Sequence, residues 1–410
     1  MKSKISLFNP GIAKNLLRRF WPLWSAYFAV IVYLLPVKLY NQIVYIRDWQ
    51  IFNWQISVSF LSDFLLKCGV LMMWVSAVAC ILAVMAVFGF LYGTRSCGMI
   101  ASLPVRRETV FFTCCLTGLL PLLLADVLAL LIAVPVAAGH VELRYLLMCF
   151  GMMVMANVFF FGFGTFCAML TGNLVVLPAV YAVLNFAVGV AEGGARYLLS
   201  RFVYGMTMQV HVLDWLSPAL FLWENKWVHE EAGLYTVNSF YILIAYCAAG
   251  LLLMGAALLL YRKRRMETAT DAVAVAALKP VFKYCMTFGA ALVLAALIYN
   301  VLLNTGLLRE LTGAAEAAAV LGLMLAGAFL GYFAAEMLLK KTVRVFRGNW
   351  RGCFVSFGLI AAFVLCFELD LPGCERRLPD PEDVAWADCM VEGTVVYNGN
   401  GVEELMDVHR

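Results

Sequence analysis

Nine long apolar stretches follow one another along the chain, and short polar or charged segments separate them. Each stretch comes close to the about 20 apolar residues that a helix needs to cross the hydrocarbon core of a bilayer. The pattern therefore predicts an all-α polytopic membrane protein with about nine transmembrane helices. The predicted spans are Trp21–Tyr40, Gly69–Tyr92, Val110–Ala138, Leu146–Leu170, Leu174–Val190, Phe240–Tyr261, Cys285–Leu303, Ala317–Leu339 and Gly352–Leu369.

Positive charges concentrate on one side of this predicted topology. Of the 30 lysines and arginines, five precede the first span, three lie between the second and third, six between the sixth and seventh, and five between the eighth and ninth. Basic loops are retained on the cytoplasmic side of a membrane. We therefore expect a cytoplasmic N-terminus and an extracytoplasmic segment after the ninth span.

The composition is typical of a membrane protein, and the absence of common motifs limits the reactions that the chain could catalyse. The chain is 64% hydrophobic and 14% charged, whereas soluble domains are about 45–50% apolar and about 25% charged. It has no Walker A, GxSxG or HExxH motif, and its 13 cysteines form no CxxC pair. Its basic residues form no patch with interleaved aromatics, so nucleic-acid binding is not expected. We expect no catalytic residue, metal or cofactor in this chain.

Residues 1–20 resemble a short helix that lies on the membrane surface. Asn9 and Pro10 are typical of a helix start. Apolar side chains then recur at four-residue spacing, with Lys14 and Arg18 on another face. These apolar residues are Ile12, Leu16 and Phe20. The alternative is that the segment is only a polar lead-in to the first span.

Asp126 is the clearest ionisable residue within a predicted span. A charge there is costly, which makes Asp126 a functional candidate, although a structural hydrogen bond to another helix would also explain it. Three asparagines within spans are expected to hydrogen-bond between helices, and two glycine pairs to allow close helix packing. These are Asn157, Asn185 and Asn300, with Gly162/Gly164 and Gly327/Gly331.

Two extracytoplasmic segments are unusual. Residues 193–239 are too apolar for a plain loop, and half-helices that dip back toward the membrane would suit them. Residues 371–410 turn acidic and resemble the start of a soluble domain that would continue beyond Arg410. Cys374 and Cys389 could form a disulfide there, or remain two free thiols.

The segment Tyr92–Val110 carries a recognisable arrangement. A short helix with Met99 and Ile100 is followed by Ser-Leu-Pro and by paired arginines that open the third span. It resembles the coupling loop of ABC-2 type transporter permeases. Residues 1–20 resemble the elbow helix of that family, and 193–239 resemble its re-entrant outer loop. The runs 261–267 and 278–284 are similar to a bacterial branch found in Firmicutes, the YtrC/YtrD-like permeases.

The resemblance implies an organisation and partners. Residues 21–262 would form a six-span transport core, 263–283 a cytoplasmic basic linker, and 284–370 a three-span extension before the tail. A separate cytosolic ATPase subunit would bind ATP and magnesium, and a second permease copy or a paralogue would complete the transporter. The implied location is the plasma membrane of a bacterium, and the implied activity is export of a drug, peptide or lipid-linked compound.

The contact with the ATPase subunit is expected at two basic segments. Apolar residues of the first segment would seat in a groove on the partner, and charged residues would form the rim. Ordinary retention of positive charge in the cytoplasm is the alternative explanation for the arginines. The expected contact residues are Arg95, Met99, Ile100, Leu103, Arg106, Arg107, Glu108, Arg262, Arg264 and Arg265.

Other functions remain open from the sequence. A secondary transporter or channel could use Asp126, but no internal repeat supports it. A membrane sensor or scaffold could use the acidic tail. A membrane-embedded enzyme would have to rely on the few polar residues within spans.

Overall fold

The computed structural model describes residues 8–48, 54–102, 104–202, 214–223, 228–231, 234–237, 240–264, 279–305, 314–340, 342, 344–345, 350–369, 387–390 and 394–397. The helices are α1 Pro10–Val32, α2 Lys38–Asp48, α3 Trp54–Phe88, α4 Thr94–Ala101, α5 Arg107–Ala137, α6 Leu143–Leu170, α7 Val176–Phe202, α8 Pro218–Trp223, α9 Phe240–Lys263, α10 Lys279–Asn304, α11 Ala314–Lys340 and α12 Trp350–Glu368. The strands are β1 Val228–Glu231, β2 Leu234–Val237, β3 Ala387–Met390 and β4 Thr394–Tyr397.

Within these described ranges, eight helices are long and apolar enough to cross a membrane. They are α1 continued by α2, then α3, α5, α6, α7, α9, α10 and α11. The predicted multi-span helical class is confirmed. The ninth predicted span corresponds to α12, whose apolar part, Trp350–Cys366, is shorter than the others. The all-α prediction did not include the antiparallel hairpins β1–β2 and β3–β4.

The chain divides into two compact units. The first unit comprises residues 1–190, 212–285 and 335–343, and the second comprises 191–211, 286–334 and 344–410. In the first unit, α6 packs between α3 and α9, and α1 packs along α5. A large buried apolar core fills the space between these five helices.

Glycine brings α6 and α9 into direct backbone contact. A Cβ atom added at Gly162 would lie 2.1 Å from the carbonyl oxygen of Gly250, and one added at Gly250 would lie 2.5 Å from Cα of Phe159. Neither position has room for a side chain. The predicted close packing at Gly162 is therefore confirmed, and its partner helix is α9.

Several helix termini of the first unit meet at one end, which we call the basic end. The Tyr92 hydroxyl, just after α3, donates to the carbonyl of Ala168 near the end of α6 at 3.2 Å. The Arg264 guanidinium, just after α9, donates to the same carbonyl at 2.9 Å. At the starts of α1 and α5, the Asn9 amide donates to Thr113 Oγ1 at 3.0 Å. Helices α1 and α5 thus begin, and α3, α6 and α9 end, at the basic end.

The first residues of α1 form the helix start that the sequence predicts. The Asn9 side chain accepts hydrogen bonds from the amides of Gly11 and Ile12, and Pro10 takes the first helical position. Phe20 has non-helical backbone angles (φ −111°, ψ 19°) and kinks the helix at the end of the predicted surface segment. The location of that segment on the membrane surface stays a prediction.

Residues 214–223, which lie between α7 and α9, pack within the first unit. Ser217 is fully buried, and its hydroxyl accepts from the Gly189 amide at 2.6 Å. The Tyr246 hydroxyl of α9 donates to the Trp215 carbonyl at 2.6 Å. Ala219 and Leu222 of α8 are buried. This short helix fits the predicted half-helices, whose depth in the membrane stays a prediction.

In the second unit, small residues again allow helices to pack closely. A Cβ atom at Gly327 would lie 2.7 Å from the Ala290 carbonyl oxygen, and one at Gly331 would lie 2.5 Å from Ala290 Cβ. The predicted packing of this glycine pair is confirmed, with α10 as the partner. The β3–β4 hairpin belongs to the predicted tail, whereas Cys374 and residues 402–410 lie outside the described residues, so the disulfide stays a prediction.

Candidate functional site

Helix α4 is a short amphipathic helix at the basic end. Gly93 precedes it in an extended conformation, and a Cβ atom there would lie 2.6 Å from Ser96 Oγ. The Ser96 hydroxyl bonds the carbonyls of Phe90 and Gly93, each at 3.0 Å, which fixes the turn from α3 into α4. The local sequence therefore holds α4 in one position against the end of α3.

The two faces of α4 differ sharply. Cys97 is buried, and Ile100 packs partly buried against the core. Burial raises the pKa of the Cys97 thiol, which stays neutral. On the opposite face, Arg95 is exposed and Met99 is 63% exposed. An exposed methionine is a large, adaptable apolar side chain of the kind that partner surfaces use.

The first turn of α5 is bonded to the end of α9. Nη1 of Arg107 donates to the carbonyls of Arg262 and Arg264, each at 3.2 Å. Arg262 forms an ion pair with Glu108 at 3.0 Å. The last carbonyls of a helix have no partner within it and carry partial negative charge, so a guanidinium stabilises them. The two basic segments that the sequence singled out separately are therefore one cluster.

Arg264 connects this cluster to α3 and α6. Besides its bond to Ala168, its guanidinium carbon lies 5.9 Å from the centre of the Tyr92 ring. Burial lowers the pKa of Arg264, because the charged form loses hydration. Nη2 of Arg264 is buried and has no hydrogen-bond partner among the described residues. The cluster thus has an unused donor close to α4.

The structure places most of the predicted contact residues at the basic end. Met99, Ile100, Arg107, Glu108, Arg262 and Arg264 lie on α4, at the start of α5 or at the end of α9. Arg95 and Arg106 are exposed there, and neither side chain forms a hydrogen bond or ion pair with a described residue. Leu103 and Arg265 lie outside the described residues. Sequence reasoning missed the roles of Tyr92 and Ser96, which only their bonds to backbone carbonyls reveal.

Asp126 lies far from this cluster, in the interior of the first unit. Its Oδ1 accepts from the Tyr27 hydroxyl at 2.8 Å, and its Oδ2 accepts from Nδ2 of Asn157 at 2.6 Å. Nδ2 of Asn157 also donates to the Tyr27 oxygen at 2.9 Å. The hydroxyls of Ser76 and Tyr27 are 3.2 Å apart, and the Cys80 thiol donates to Oδ1 of Asn157 at 3.3 Å.

This Asp126 cluster joins four helices, because Tyr27 lies on α1, Ser76 and Cys80 on α3, and Asn157 on α6. Asp126, Asn157 and Ser76 are all 0% exposed. The predicted bonding of Asn157 between helices is confirmed. The same prediction is wrong for Asn185, which donates to the Tyr181 carbonyl of its own helix, and for Asn300, which is exposed and accepts from Asn304 of its own helix.

Comparison of the chain with protein-family models, with curated proteins and with solved structures returned no match. The residues of the two clusters therefore carry the argument about function.

Proposed function

We propose that this chain is the membrane-spanning permease subunit of an ABC transporter, driven by ATP that a separate ATPase subunit hydrolyses. The basic end would face the cytoplasm, and the second permease would be another copy or a paralogue in a bacterial plasma membrane. The observation that carries the proposal is the exposure of Met99 on a helix whose other face is fixed to the core. Around it lie cationic residues from two distant segments.

In this proposal, α4 receives the movement of the ATPase subunit. A push on α4 passes to the core through Ile100. Helix α5 follows α4 in the chain, and its Arg107 bonds the last carbonyls of α9, so the movement also reaches α9. The ATPase subunit shifts the permease between conformations only by binding one of them better than the other. The exposed arginines set encounter rate and register, and Met99 supplies apolar contact area. The substrate and the direction of transport rest on the resemblance alone, which implies export of a drug, peptide or lipid-linked compound.

The test uses the full chain co-expressed with a candidate ABC ATPase subunit, sought among the genes next to its own, and reconstituted in lipid nanodiscs. We expect the permease to stimulate ATP hydrolysis, and Met99→Asp to weaken the affinity of the two subunits about thirtyfold or more, the size of an interface hot spot. Met99→Leu keeps an apolar side chain and should preserve stimulation. The matched control is Val175→Asp, because Val175 is 79% exposed in the turn that follows α6 at the same end.

Two results would contradict the proposal at different levels. If the Met99→Asp permease still stimulates ATP hydrolysis fully, α4 is not the contact, but the chain can still be a transporter subunit. Absence of both binding and stimulation in the unchanged pair would remove the permease assignment itself.

A further inference from the structure

Asp126 is a carboxyl group that is buried inside the helices of the first unit, and no Lys, Arg or His side chain of the described residues contacts it. Its hydrogen-bond partners among the described residues are Tyr27 and Asn157. The titratable groups that face it are the Tyr27 hydroxyl from α1, the Cys80 thiol from α3 and the Cys149 thiol from α6. None of these supplies a positive charge. A buried carboxylate without a counter-ion is costly, and binding a proton is the least demanding way to neutralise it.

The hydrogen bonds around Asp126 can accommodate either protonation state. With the carboxylate, Tyr27 donates to Oδ1, Asn157 donates to Oδ2, and Ser76 donates to the Tyr27 oxygen. With a proton on Oδ1, that group donates to the Tyr27 oxygen, and the Tyr27 hydroxyl turns to donate to Ser76. Asn157 keeps both of its bonds in either state. The same pairs of atoms stay hydrogen-bonded in both states, with two donor directions reversed and no heavy atom moved, because hydroxyl groups both donate and accept.

We propose that Asp126, Tyr27 and Ser76 form a proton-binding site within the membrane-spanning helices of the first unit. The carboxylate takes one proton from water onto Oδ1, and the reverse step returns it. A conformation that admits water to the cluster favours the ionised carboxyl group and releases the proton, whereas the closed conformation holds it. This site does not depend on the proposed function, since it concerns groups distant from α4.

The test is infrared spectroscopy of the full chain in lipid nanodiscs across the pH range in which it stays folded. We expect a carbonyl stretch of a protonated carboxylic acid that fades as the pH rises and is absent from Asp126→Asn. The amide of this variant can donate to Tyr27 as the protonated acid does, so the fold should persist. The control is Asp63→Asn, because the Asp63 carboxylate is ion-paired with Lys67 at 2.6 Å near the surface. A band that survives in Asp126→Asn, or that is missing from the unchanged chain at every pH, overturns the proposal.

Two further variants separate a proton site from a merely structural cluster. Ser76→Ala removes the acceptor that the Tyr27 hydroxyl needs only when Asp126 is protonated, so the band should weaken at a given pH. Tyr27→Phe removes a donor to the carboxylate and also the acceptor of the protonated acid. The bond to the charged form is the stronger of the two, so the band should strengthen at that pH. Unchanged titration in both variants overturns the proposal. Loss of the band on adding sodium ions at constant pH also overturns it, in favour of a metal-cation site.

Discussion

At the Asp126 cluster, every side-chain oxygen and nitrogen of Asp126, Tyr27 and Asn157 has a partner inside the bundle. At the basic end, Nη2 of Arg264 has no partner among the described residues, and Met99 projects from α4. Both regions join helices that are distant in sequence. They differ in whether the chain by itself supplies a contact for each of these side chains.

The difference indicates separate roles. A buried polar network that is fully bonded contributes rigidity and holds its helices in one arrangement, because any rearrangement leaves a polar group without a partner. A surface that combines an exposed apolar side chain with exposed charge can still gain contacts from another molecule. We therefore interpret the Asp126 cluster as internal to the chain and the basic end as available to a partner.

The largest expected effect tests whether the Asp126 cluster holds the bundle together. Asn157→Leu keeps a similar volume but removes both donors to Asp126 and Tyr27, and the acceptor of the Cys80 thiol. Since it leaves a buried carboxyl group short of partners, we expect a loss of about 3 kcal/mol in the free energy of unfolding. Denaturant-induced unfolding in detergent micelles measures it.

Asn185→Leu is the matched control for that prediction. Asn185 is also buried, but its amide bonds only the Tyr181 carbonyl one turn earlier, and its Oδ1 has no partner among the described residues. The expected loss is about 1 kcal/mol or less. Equal losses in the two variants would show that the hydrogen bonds between helices add nothing to the free energy of unfolding. The Asp126 cluster would then not differ from an ordinary buried asparagine.

The sequence predicted the long apolar helices well, because long apolar runs have few alternatives to membrane helices. It placed helix ends poorly. Helix α3 begins at Trp54 rather than near Gly69, and α7 continues to Phe202 past Val190. Hydropathy marks only the part of a helix that suits the bilayer core, and these helices extend beyond it with polar residues such as Asp63 and Lys67.

The two clusters were only partly predictable. Asp126 and Asn157 stand out as polar residues in apolar runs, but their contact depends on which helices meet. Tyr27 and Ser76 carry no such signal, because neutral hydroxyl residues are common in spans. The bond between Arg107 and the end of α9 joins positions 155 residues apart. Charge patterning predicted that both segments lie on one side of a membrane, and could not predict that they touch.

A smaller effect is expected where α5 meets α9. Arg107→Ala removes the donor to the carbonyls of Arg262 and Arg264, so we expect a loss of about 1 kcal/mol and faster amide hydrogen exchange in the last turn of α9. Arg106→Ala is the control, since the Arg106 side chain is exposed and forms no hydrogen bond or ion pair with a described residue. The same exchange rates in both variants would mean that the two segments are adjacent without being coupled.

The smallest effect concerns the ion pair between Glu108 and Arg262, whose side chains are 34% and 50% exposed. Because water solvates both charges, a double-mutant cycle with Glu108→Gln and Arg262→Gln should give a coupling energy below about 1 kcal/mol. That coupling should shrink as salt is raised, since exposed charges are screened. A coupling above about 2 kcal/mol that salt does not reduce would place this pair in a sealed environment. The basic end would then resemble the Asp126 cluster at this pair, and the exposed charge would no longer support its availability to a partner.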